Sequence, residues 1–177
     1  MQAILRRASL RRLLRALTIW RVVIQLLGLL WWDGQAWSYR NGMTAEARAR
    51  RQATRARWLT AELLQLGSAF IKLGQLLSAR PDILPAGWVE QLASLQDSVP
   101  PFSFDSVQSV LEDALGQRCA EVVDLDPDPL GAASLAQVHR ASLRSGRQVV
   151  LKVQRPGLEE LFRLDLEVMQ QVAAVLQ

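Results

Sequence analysis

Cysteine occurs once in the 177 residues, as Cys119, which excludes an internal disulfide framework and any cysteine-based metal cluster and fits a reducing compartment. Its neighbours supply no activating pattern, so Cys119 is expected to be a small core or surface residue. Internal repeats and low-complexity tracts are also missing, and half of the residues are hydrophobic, so the chain can bury the core of one modest domain with an appendage. Acidic residues are scarce in one part only. Residues 1–60 hold twelve Arg against Asp33 and Glu46, about +10, whereas residues 61–177 hold nine bases against fifteen acids, about −6.

A basic segment suits nucleic acid or anionic lipid, and the residues between the arginines decide which. Here they are aliphatic, from Leu13 to Leu30, with Trp20, Trp31 and Trp32 among them, which favours a bilayer interface over base stacking. Nucleic acid is therefore not an expected partner; an anionic membrane surface is. The run Leu17 to Trp32 is sixteen residues, interrupted by Arg21 and Gln25, short of the roughly 20 that cross a hydrocarbon core. It is expected to lie on the membrane, peripheral and on the cytoplasmic side. A packed core helix and a spanning or signal segment are the alternatives, although no small-residue cleavage pattern follows Trp32.

Ala3 to Trp32 reads as one or two helices ended by Asp33-Gly34, and Thr44 to Arg57 as a solvated helix leading to Trp58. From Ala61 to Ala79, Leu63, Leu66, Phe70, Leu73 and Leu77 recur at spacings of three and four, one stripe of an amphipathic helix stopped by Arg80-Pro81. Pro85 starts a helix to about Gln96 with Val89, Leu92 and Leu95 inward, and Pro100-Pro101 break it. Asp105 or Ser106 is expected to cap the next helix, through Val107, Val110 and Leu111, with Gly116 closing it. The period then changes: Ser134 to Leu143 and Gln148 to Gln154 read as a hairpin turning at Ser145-Gly146, and Leu158 to Leu176 returns to helical spacing. Trp58 and Trp88 are expected in the core, and Trp20, Trp31, Trp32 and Trp37 in an interfacial belt.

Two constellations carry chemistry. At about 100° per residue, Lys72 and Gln75 lie one turn apart nearly opposite the leucine stripe, with Gly74 closer to it. The small residues Gly131, Ala132, Ala133, Ser134, Leu135, Ala136 and Gln137 form a loop whose backbone N–H groups can approach phosphate, and Lys152 on the next strand can reach the same phosphates. His139 has no carboxylate or nucleophile nearby in sequence to orient it, so a structural imidazole is expected.

Lys72-Leu73-Gly74-Gln75, continued by Ser78 to Pro85, resembles the KxGQ motif of the ABC1/UbiB atypical kinases. The Gly131 to Ala141 segment is similar to that family's alanine-rich nucleotide loop, and Val150 to Gly157 to its strand-lysine segment. The resemblance runs from about Leu59 to Leu176. It implies an α+β fold: N-terminal helices, then a partial protein-kinase-like N-lobe with a β-hairpin and a helix, without a C-lobe. The segments so implied are a basic membrane-interfacial leader (1–40), a basic helical linker (41–60), a KxGQ-containing helical extension (61–118) and the partial N-lobe (119–177).

The resemblance further implies ATP with Mg²⁺ as cofactor of the full-length family, and prenylquinone-pathway proteins or lipids as partners. It makes Lys72, Gly74 and Gln75 regulatory, with Lys72 and Gln75 expected to face the turn near Ser134 and Gln137. No HRD-like loop or DFG-like triplet is in the sequence, so no catalytic set is complete and no metal ligand is assigned. Glu159, Glu160 and Glu167 could approach Lys152, although the family's pairing glutamate lies further downstream. Two classes of function stay open: the front part of an ATP-dependent enzyme, with nucleotide binding weak or absent in this chain, or a membrane-bound accessory protein without catalysis.

Overall fold

The computed structural model describes residues 2–40, 42–96 and 99–176, and the side chains of all of these except 2–9 and 96. Arg6 and Arg7, part of the expected basic leader, therefore have side chains outside the described residues. In chain order the elements are α1 (Gln2–Asp33), α2 (Ala45–Leu66), α3 (Ser68–Ser78), α4 (Ala86–Ala93), α5 (Phe104–Leu115), β1 (Val122–Val123), β2 (Gly131–Ala132), β3 (Ala136–Leu143), β4 (Gln148–Gln154) and α6 (Leu158–Leu176). They form two compact units, one of residues 1–95 with 160–177, the other of residues 96–159.

The first unit is helical. Thr44 caps α2, its hydroxyl accepting from the Ala47 N–H at 3.2 Å, with Glu46 in the first turn. The stripe expected over Ala61 to Ala79 is not one helix. Gly67, at φ 90°, caps α2 through a bond from its N–H to the Leu63 carbonyl and starts α3 through bonds from Phe70 and Ile71 to its own carbonyl. The break resets the helical phase, so Leu63, Leu66 and Phe70 are buried while Leu73 is 38% exposed. Leu92, Leu95 and Trp88 are inward as expected, with Trp58 and Val89 half-buried.

α1 is a single helix. Ile19 and Val22 are buried, Arg15 donates to both oxygens of Asp165 at 2.7 and 2.8 Å, and Arg21 bonds Glu62. Much of the rest is exposed and apolar, including Leu13, Leu14, Leu17, Ile24, Leu27 and Trp31. The stretch Leu10–Asp33, 24 residues that include an 18-residue window of mean hydropathy 1.7, is long and apolar enough to cross a membrane by length and composition.

In the second unit β3 is central. It pairs with β4 along one edge, and along the other with β2 near its start and β1 near its end, all antiparallel. The hairpin lies where it was expected, with Gly146 at φ 82° and its N–H bonded to the Leu143 carbonyl. The two-residue strands β1 and β2 had no periodic signal. α5 covers one side of the sheet: Val107 and Leu111 pack with Val153, joined by Phe102, Phe104 and half-buried Cys119. Its N-cap is Ser103, which accepts from the Ser106 N–H, in place of the expected Asp105 or Ser106; the chain leaving Pro100-Pro101 is still extended there. Gly116 closes α5, as expected, at φ 54° with its N–H on the Glu112 carbonyl.

Candidate functional site

A strand alternates its side chains between two sides, and the register fixes which residues stand together. Gln137 and His139 on β3 share the covered side with Val153 and Leu151 on β4. Val138 and Arg140 share the other side with Lys152 and Val150. That side is open: Val150 is 63% exposed, and Lys152, Arg140 and Gln154 are exposed with it.

Gly131 pairs with Val138, and Val138 pairs with Lys152, so these three form one row across β2, β3 and β4 on the open side. At about 4.8 Å between neighbouring strands, the lysine backbone stands about 10 Å from the glycine, within reach of a ligand that bridges the two. A Cβ built on Gly131 would meet nothing within 4 Å. Between β2 and β3 the chain turns tightly: the Ala133 N–H donates to the Ala136 carbonyl at 2.8 Å, and the Arg155 N–H donates to the Leu135 carbonyl at 2.9 Å. Ala133 and Leu135 are exposed, Ala132 is half-buried, and Ser134 and Ala136 are buried. Short side chains at the turn, a clear space at Gly131 and an ammonium in the same row leave room and a positive charge for an anionic ligand, with Val138 and Val150 as apolar surface beside it. Among the described residues no group of three or more His, Cys, Asp or Glu could hold a metal ion.

The covered side supports this row. Gln137 is 1% exposed, and its side chain is committed internally. Its Oε1 accepts from the Phe102 N–H at 3.0 Å, while its Nε2 donates to the Phe102 carbonyl at 3.2 Å and lies 2.9 Å from His139 Nε2. His139 Nδ1 stands 2.7 Å from the Asp126 carbonyl, which can only accept, so Nδ1 carries the proton and Nε2 accepts from Gln137. A structural imidazole is what its complete burial and this bonding describe. Arg155 stacks over the Phe102 ring at 5.2 Å and donates to the Pro100 carbonyl; burial pushes its guanidinium below its ordinary range. Sequence reasoning missed Phe102 and Asp126 as partners, and Val138 and Val150 as neighbours of Lys152. The i, i+2 spacing of Gln137 with His139, and of Val150 with Lys152, was the available signal for shared sides.

In the helical unit, the KxGQ residues divide by surroundings. A Cβ on Gly74 would fall 2.3 Å from Leu95 Cδ1 and 2.9 Å from Leu63 Cδ1, so any larger residue has to push those two side-chain ends aside. Gln75 Nε2 donates to the Leu95 carbonyl at 3.2 Å. Lys72 is exposed.

Residues 94–177 match the model of the ABC1 atypical kinase-like domain. The chain is 46% identical to an uncharacterized protein of Synechocystis, over 92% of this chain and 28% of that one. It is also 46% identical to the chloroplastic protein ACTIVITY OF BC1 COMPLEX KINASE 8 of Arabidopsis thaliana, over 92% of this chain and 21% of that one. A third relative, named probable protein kinase UbiB, of Marinobacter nauticus, is 45% identical over 65% of this chain and 21% of its own. The chain thus spans between a fifth and a third of the length of these relatives. Residues 94–177, which hold the hairpin, the small-residue turn and the strand lysine, therefore belong to the ABC1 atypical kinase-like domain family.

Proposed function

We propose that this chain forms the loop-and-lysine side of an ATP site in an ABC1/UbiB-type kinase or ATPase that works at a membrane in prenylquinone metabolism. The observation that carries the nucleotide reading is the Gly131–Val138–Lys152 row on the open side of the sheet. In it Lys152 would hold the phosphates as a point charge, the Ala133 turn would admit them close to backbone, and Val138 and Val150 would lie under the base. ATP supplies the transferable phosphoryl group; this chain's residues bind and orient it. The membrane reading is supported by the exposed apolar side of α1 and by the arginines near it. The quinone setting is supported by the family resemblance.

The test is equilibrium titration of the purified chain with ATP, with and without Mg²⁺. Weak, saturable binding is expected, reduced about tenfold or more in Lys152→Ala, since a charge-assisted contact of about 1.5 kcal/mol or more is lost. Hydrolysis is expected to be undetectable, because the groups that neutralise developing charge are not in this set. Equal affinity in the parent chain, Lys152→Ala and Ala133→Trp would overturn the reading, and so would turnover that survives Lys152→Ala.

A further inference from the structure

The helical unit holds a chamber of about 490 Å³, within the range of roughly 300–1,000 Å³ typical of small-molecule sites. Its wall is apolar, built from Leu26, Leu30, Leu59, Leu77 and Trp88 on α1, α2, α3 and α4. Its polar rim is different in kind: Arg48, Arg51 and Arg55 stand there with one carboxylate, Asp33. Arg51 and Arg55 both bond Asp33, at 3.2 and 3.0 Å. Arg51 is also locked over the Tyr39 ring at 3.9 Å and donates to the Ser38 hydroxyl and carbonyl. Arg48 reaches only the Met43 sulfur, a weak acceptor, and has no carboxylate within salt-bridge distance among the described residues.

Three guanidinium groups against one carboxylate leave the mouth of an apolar chamber with positive charge in excess. A neutral apolar guest would leave that charge uncompensated, and a bare anion would leave the chamber unused. The complementary guest has an apolar chain and an anionic head, and the guanidinium fork matches phosphate oxygens. The rim residues Asp33 and Gly34 directly follow Trp31 and Trp32, which are 61% and 43% exposed. Exposed indoles sit preferentially at the headgroup level of a bilayer, where such molecules are found.

We propose that this chamber binds one anionic phospholipid, its phosphate on the Arg48/Arg55 rim and one acyl chain against the leucines. The site is separate from the sheet and does not rest on the nucleotide reading. The experiment is calorimetric titration of the purified chain with dioctanoyl phosphatidate, a soluble lipid, beside dioctanoyl phosphatidylcholine and inorganic phosphate. Phosphatidate is expected to bind saturably, one per chain, about tenfold or more tighter than either comparator. Arg48→Glu, an exposed change, and Leu84→Trp, at a leucine that also lines the chamber and where the indole would fill it, should each weaken it about tenfold with helicity unchanged. Should Leu84→Trp fail to fold, Arg48→Glu decides alone. Inorganic phosphate binding as tightly as phosphatidate (a free-anion site only), equal binding of the two lipids (partition without a headgroup site), or full affinity in Arg48→Glu would each overturn the proposal.

Discussion

In the helical unit, beside the buried hydroxyl residues Thr60 and Ser68, the polar groups drawn out of water include paired charges: Arg15 on Asp165, with the Asp165 side chain fully buried, and Arg51 and Arg55 on Asp33. In the sheet unit they are neutral, a chain of bonds from the Phe102 backbone through Gln137 and His139 to the Asp126 carbonyl. The difference follows from composition. Residues 1–60 carry twelve arginines and two acids, so packing these helices requires that arginines share the few carboxylates available. The β3 segment from Ala136 to Leu143 carries one charged residue, Arg140, which the strand alternation directs to the open side. Removing one member of a buried ion pair strands a charge, whereas removing a member of a neutral network strands only donors and acceptors.

The sharpest break of this comparison is Arg15→Ala. It leaves the Asp165 carboxylate buried without its counter-ion, and a loss of about 3–5 kcal/mol is expected in urea unfolding. A loss below 1 kcal/mol would mean that water reaches Asp165 and that charge pairing does not hold this unit. Gln137→Ala is the matching change in the sheet. It unpairs the Phe102 N–H and carbonyl and His139 Nε2, and should cost about 2–3 kcal/mol, with the loss independent of salt between low and high ionic strength.

Within the helical unit, two glycines sharpen the role of packing against that of charge. Gly74→Ala drives a methyl into Leu95 and Leu63 and should destabilise by about 2 kcal/mol, although both clashing atoms are mobile side-chain ends. Gly28→Ala on α1 meets nothing within 4 Å and should stabilise by up to about 1 kcal/mol through helix propensity. Thermal melts of the two variants, moving in opposite directions, check both. The smallest effect is expected at Arg21, half exposed against Glu62: Arg21→Ala should cost under about 1 kcal/mol, and the cost should vanish at high salt. A cost that persists in salt would place Arg21 with Arg15.

Where structure is set by neighbours in sequence, the residues announced it. Thr44 and Gly116 are caps, and Ser145-Gly146 turns a hairpin whose strands alternate. The small-residue turn and Lys152 were likewise visible by order and spacing. The break at Gly67 was not, because leucines continue at three- and four-residue spacing on both sides of it and a periodicity count is blind to one left-handed φ. Strands of two residues are too short to show a period, which hid β2 and with it the row that aligns Gly131 with Lys152. The Gln137 clamp on Phe102 joins residues 35 apart, and the arginine-rimmed chamber gathers four helices; neither has a local signature.

Leu95 is gripped twice by a single stretch of α3, its side chain against Gly74 and its carbonyl by Gln75, and it is the last residue before the polypeptide passes from the helical unit into the sheet unit. Two of the three KxGQ residues therefore fix an exit point. A substitution at Gly74 or Gln75 thus loosens Leu95 from α3 at the very end of the helical unit's first stretch of chain, with Lys72 left as it is.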